Sequence, residues 1–117
     1  MFIVNDLKIE MTEGDYGITL PITLVTDDEL ITSDDSFSIK IFSEINGEPL
    51  VSKSYTDIQD NTIEFSLTEE ETLLLPVGEY YYDLDWYQNG IFMDNLIAKE
   101  FYGVIEKAGK VGGNNGS

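Results

Sequence analysis

Residues 78–90 read GEYYYDLDWYQNG, a run that holds four tyrosines, a tryptophan and two aspartates. A period of two sorts it cleanly. Tyr80, Tyr82, Leu84 and Trp86 fall on one face, and Glu79, Tyr81, Asp83, Asp85 and Tyr87 on the other. The first set is uniformly large and largely apolar, so it reads as the buried face of a strand, with Asp83 and Asp85 side by side on the solvent face. Asn89-Gly90 then supplies the two residues that tolerate positive φ, which marks a type I′ hairpin into a further strand over 91–106.

Two carboxylates two residues apart on one face lie about 6.5–7 Å apart at Cα, a separation that suits a glycosidase pair. Such a pair also needs a cleft that excludes water and perturbs one carboxyl. Short strands with short connections leave little chain to build one, so Asp83 and Asp85 read as solvated and the chain as non-enzymatic. Tyr81 and Tyr87, beside these acids, are the candidate contacts for a partner or a sugar, because amphipathic aromatics give large contact area at low entropic cost. Cross-strand packing is the alternative reading of the same two rings.

Outward from this hairpin the same periodicity recurs. In GITLPITLV, Ile18, Leu20, Ile22 and Leu24 share a face; in SFSIKIFSE, Phe37, Ile39 and Ile41; in TIEFSL, Ile63, Phe65 and Leu67. Further strands are expected around Leu7–Met11 and over 50–55, for about seven in all. Turn chemistry separates them in TEGDYG, INGEP and DIQDN. Pro21 cannot donate to a ladder, so its strand must have an open edge or a bulge. The helical signal is TEEE, in which Thr68 and Glu71 are spaced for a capping box, and Pro76 and Gly78 limit it to one turn.

The totals narrow the class. With 117 residues the chain is one domain with a workable core. It has no cysteine, which excludes disulfides and thiolate metal sites, and no histidine, which excludes nucleophile–histidine chemistry. The N-terminus MFIVNDLKIEM lacks the form of a secretory signal, and no run approaches the ~18 apolar residues of a membrane span. The expectation is a protein that stays in the compartment where it is made. Six lysines, no arginine and twenty-three acids give a net charge of −17, which argues against direct binding to nucleic acid. That charge suits solubility, or a basic partner approached as DNA would approach it. Asp27, Asp28, Glu29, Asp34 and Asp35 in TDDELITSDD could offer oxygens to calcium, but they lack the spacing of a calcium loop and read as solvated charge.

LLLPVGEYYY resembles the E–F corner of immunoglobulin-type sandwiches, with Tyr80 in the place of the corner tyrosine and Pro76 where an aspartate is usual. Over residues 7–107 the segments EGDYGITL, SFSIKIF, LVSKSY, IEFSLTEEETLLLPVGEYYYDLDW and KEFYGVIEKA look like the small immunoglobulin-like domains of tailed-phage baseplate, neck and tail accessory proteins. The resemblance implies an all-β, immunoglobulin-like antiparallel sandwich over 1–107, made in the host cytoplasm and carried in the virion. It would dock in repeated copies on other virion proteins, itself or a neighbouring subunit, with no cofactor, metal, nucleic acid or membrane. The alternatives are an acidic inhibitor of a basic host protein and, third, a glycan-binding module. Residues 108–117 are rich in Gly and Asn and read as a flexible tail. In that tail region Lys107 and Lys110 would meet a neighbour's acidic surface, and Val111 would be its apolar anchor.

Overall fold

The computed structural model describes residues 2, 3, 7–26 and 31–107. In chain order the elements are β1 (Phe2–Ile3), β2 (Ile9–Thr12), β3 (Leu20–Thr23), β4 (Val25–Thr26), β5 (Asp35–Phe42), β6 (Pro49–Tyr55), β7 (Thr62–Phe65), α1 (Glu69–Leu73), β8 (Gly78–Gln88) and β9 (Ile91–Ile105). The fold is all-β, with one helical turn among the described residues. Every segment expected from alternation forms a strand. The run 20–26 is divided at Leu24 into β3 and β4, where the Leu24 N–H turns to the Asn61 carbonyl at 2.7 Å.

One layer is a five-stranded sheet in the order β2-β9-β8-β5-β6. The facing layer is made of the pairs β3-β7 and β1-β4, joined through the continuous run 20–26. Ile22, Leu24, Ile63 and Phe65 from this layer pack on Phe37, Ile39, Ile41, Tyr82, Leu84, Trp86, Ile97 and Tyr102 of the large sheet. Phe65 meets Tyr102 edge to face across the core at 6.2 Å, a geometry that sets ring edge against ring face. The aromatic stretch of β8 therefore forms the core as its alternation requires. Pro21 sits in β3, which among the described residues pairs only with β7, so the open edge it needs is present there.

Three expectations about the fold fail. Nine strands form among the described residues where about seven are expected, because the run 20–26 divides at Leu24 and Phe2–Ile3 pairs with its second half. The sheet is not wholly antiparallel, because β2 runs parallel to β9 from Ile9↔Tyr102 to Thr12↔Ile105. Ile18 does not join the buried face and is exposed, since the chain is still turning at Gly17 (φ +80°), whose N–H donates to Leu67 O, and β3 begins only at Leu20.

The α1 turn forms as its sequence dictates. Thr68 Oγ1 accepts from the Glu71 N–H at 3.2 Å, and Glu71 Oε1 accepts from the Thr68 N–H at 2.8 Å. The same Glu71 oxygen receives Lys53 Nζ at 2.9 Å, which ties α1 to β6. Burial works to raise the Glu71 pKa, but the Thr68 N–H and the Lys53 ammonium outweigh it and hold the carboxyl below its ordinary value. Beyond α1, the Tyr80 hydroxyl donates to the Pro76 carbonyl at 2.5 Å and closes the corner into β8.

Candidate functional site

The hairpin β8–β9 carries the residues singled out by their pattern. Its turn is type I′, with φ of +52° at Asn89 and +78° at Gly90. The two strands are unequal: fourteen residues of β9 (Ile91–Val104) match eleven of β8 (Gly78–Gln88). The three surplus residues of β9 are taken up in bulges, at Ala98/Lys99 opposite Asp83, at Leu96 and at Met93. Each bulge leaves backbone groups out of the ladder.

The two aspartates of β8 answer this need. Asp83 Oδ1 accepts from the Lys99 N–H at 2.7 Å and Oδ2 from Lys99 Nζ at 2.7 Å, so one carboxylate fills the bulge and holds Lys99 at φ +51°. That ammonium also lies 4.0 Å over the Phe42 ring, within cation–π range. At the next bulge Asn95 Nδ2 donates to Asp85 Oδ1 at 2.7 Å and to the Ile97 carbonyl at 2.9 Å. Asp85 is not solvated, contrary to its alternation. Its strand is central, and Ser38 on β5 and Asn95 on β9 flank and cover it. Burial pushes the Asp85 carboxyl up, with Asp83 adding to the shift and Asn95, Lys40 and Lys99 opposing it. The spacing that suggested an acid–base pair thus serves two backbone irregularities in the neighbouring strand.

Tyr81 and Tyr87 are both half-buried on the outer face of the large sheet, six residues and about 20 Å apart along the strand. Tyr81 sits between Phe42 and Phe101 in the register. Phe101 lies across Gly103, where an added Cβ would come within 2.6 Å of the ring. Tyr87 meets Phe92 edge to face at 5.8 Å. The two tyrosines therefore belong to separate aromatic clusters with the polar row Ser38, Lys40, Asp83 and Asp85 between them. Lys107 is exposed, and its N–H donates to Glu13 Oε2 at 3.3 Å. Lys110 and Val111, and the tail as a whole, lie outside the described residues.

The pattern gave no hint of what happens at the hairpin tip. Ile91, Phe92 and Met93 are 66%, 54% and 44% exposed, three consecutive apolar side chains in the open. They are held on a firm base. Asp35, the first residue of β5 and only 2% exposed, accepts from Trp86 Nε1 at 2.9 Å, Gln88 Nε2 at 3.3 Å and the Thr32 N–H at 3.0 Å. The neighbouring Asp34 carbonyl takes the Asn89 N–H at 2.9 Å. Asp35 is thus a buried structural acceptor, not the solvated loop charge its sequence context suggested. Asp27, Asp28 and Glu29 lie outside the described residues. Among the described residues no group of three or more carboxylates is placed to hold a metal ion, and no helix is long and apolar enough to cross a membrane.

The open sheet edges are blunted. On the side of β9 away from β8, only 102–105 pair with β2 among the described residues, but the stretch 91–101 is broken by its three bulges. At the far side β6 turns Lys53 inward to Glu71 and the Ser66 carbonyl. Bulges and inward-pointing charges are both devices that discourage strand addition. A partner is more readily met through side chains than through a ladder. No protein family model matches this sequence, and no curated protein matches it.

Proposed function

We propose that the chain is an immunoglobulin-like β-sandwich that serves as a phage structural or accessory protein and docks in repeated copies on a virion assembly. The observation that carries the fold part is the corner at Tyr80, whose hydroxyl bonds back to Pro76 just ahead of β8. It resembles the tyrosine corner of such sandwiches and supports the reading. The order β9-β8-β5-β6 with β3-β7 in the other layer supports this reading, in which β9, β8 and β5 would take the places of the G, F and C strands. The likeness of residues 7–107 to small virion sandwiches supports the assembly role. A rigid module with blunted edges and an exposed apolar tip fits docking by side chains. Mass spectrometry of purified virions of the encoding phage tests it: abundant peptides at a whole-number ratio to a known structural protein are expected, and absence from particles overturns it.

The charge of −17 favours a second reading, an acidic inhibitor that occupies a basic cleft of a host protein. That reading requires binding that DNA competes away and that salt abolishes. Binding unaffected by DNA at low salt would remove it.

A further inference from the structure

The three exposed residues of the hairpin tip sit at the end of the molecule that is most expensively fixed. Asp35, only 2% exposed and without a lysine partner among the described residues, is committed to Trp86, Gln88 and Thr32, and the adjoining Asp34 carbonyl clamps the turn. Burying such a group is costly unless its hydrogen bonds are met, and what it secures here is the orientation of a two-residue turn and the strand that follows. Ile91, opposite Gln88, and Phe92, opposite Tyr87, take the two faces of the hairpin end, Met93 stands out of the ladder in its bulge, and all three are exposed. Tyr87 backs Phe92 from β8. Phe and Met are among the residue types enriched at interfaces, and here they stand on a turn whose backbone is fixed.

Charge selects the partner. The sequence has no lysine between Lys8 and Lys40 or between Lys53 and Lys99, so nothing basic lies on the segments that build this end. Asp94 follows Met93 in the strand, and Asp34, whose carbonyl takes the Asn89 N–H, adjoins the turn. A second copy would bring the same aspartates against each other under a net charge of −17 on each chain, and an anionic lipid surface would be repelled likewise.

We propose that the hairpin end, with Phe92 braced on Tyr87 and Ile91 and Met93 beside it, forms an apolar anchor that seats in an apolar pocket on a larger protein whose mouth is lined by lysine or arginine. This rests on the docking reading above and names its contact surface. The test replaces Phe92 in the full chain with Asp and, separately, with a photo-crosslinking benzoylphenylalanine. Leu73, exposed beyond the opposite end of β8, is changed in the same two ways as the control.

Phe92→Asp is expected to lower incorporation into particles at least tenfold, and Asp94→Lys to lower it several-fold, while Leu73→Asp stays within twofold of wild type. Urea unfolding checks that each variant is folded; should Phe92→Asp be unfolded, Met93→Ser takes its place, with the same loss expected. The crosslinker at 92 is expected to mark one apolar segment of another virion protein that carries nearby Lys or Arg. Normal incorporation of the folded tip variants, or crosslinks at 92 no stronger than at 73, overturns the anchor while leaving the docking reading intact. Crosslinking to a second copy, or binding to phosphatidylcholine vesicles that Phe92→Asp abolishes, also overturns it by assigning the tip another occupant. Absence of the wild-type chain from particles takes down the docking reading, and the anchor with it.

Discussion

The two ends of β8 are each organised by one carboxylate, and they use it differently. At the Gly78 end, Glu71 is partly open to solvent, caps α1 and faces the ammonium of Lys53. At the Gln88 end, Asp35 is sealed from solvent and is satisfied by the neutral donors of Trp86, Gln88 and Thr32. An ion pair with partial exposure is adjustable by pH and salt and contributes modestly. A buried acceptor surrounded by neutral donors is a fixed fitting whose loss leaves those donors without partners. Both ends expose apolar side chains, Leu73, Leu74 and Val77 at one and Ile91, Phe92 and Met93 at the other, but only the latter are carried on the fixed fitting.

Three substitutions separate these roles. The largest effect is expected for Asp35→Ala, which strands the buried indole N–H and the Gln88 amide; a loss of about 3 kcal/mol follows from two or more lost bonds to a buried carboxylate. Urea unfolding measures it, and the tip residues should show faster hydrogen exchange in the same variant. A loss below that of Glu71→Gln would invert the comparison.

Glu71→Gln is expected to cost about 1 kcal/mol, the usual size of a capping interaction plus an exposed pair. It should also change the acid response. The folded pKa of Glu71 is depressed, so its contribution is present above the ordinary carboxylate range and is lost as pH falls through the lowered value. Wild type should therefore approach Glu71→Gln in stability as the solution is acidified, and a constant gap across that range would contradict the assignment.

Asp85→Asn should be the smallest change, within about 0.5 kcal/mol at neutral pH, because an amide oxygen can still accept from Asn95. Here the sign is reversed. The folded pKa of Asp85 is raised by burial, so the folded state bears a cost once the group ionises, and wild type should lose ground to the variant as pH rises through that value. Paired unfolding curves across the carboxylate range would detect it.

These three carboxylates also mark how far the sequence could be read. Glu71 was legible because its role is local: a Thr and a Glu three residues apart announce a cap. The core face of β8 was legible because strand periodicity has one period and one partner layer. Asp83 and Asp85 were placed on the right face but given the wrong surroundings, since alternation tells which side a residue takes and not whether a bulge in the next strand will claim it. Asp35 looks like loop charge in the sequence because its donors, Trp86 and Gln88, lie more than fifty residues away. The parallel pairing of β2 and the exposure of Ile91, Phe92 and Met93 depend on register between distant strands, which a single sequence does not encode locally.

The mismatch between β8 and β9 has a further meaning for how this chain can change length. Removing Met93 would leave Phe92 opposite Tyr87 and Asp94 opposite Trp86, so every existing pairing partner would be retained. The strand thus holds spare chain that can be drawn in or let out without disturbing its neighbours. Single-residue deletions, usually ruinous inside a central sheet because they turn each later side chain over, should be absorbed here most easily at Met93 and least easily at Ala98 or Lys99, where Asp83 has already claimed the slack. Among descendants of such a gene, length variation in this strand would be a means of adjusting the tip while the core stayed as it is.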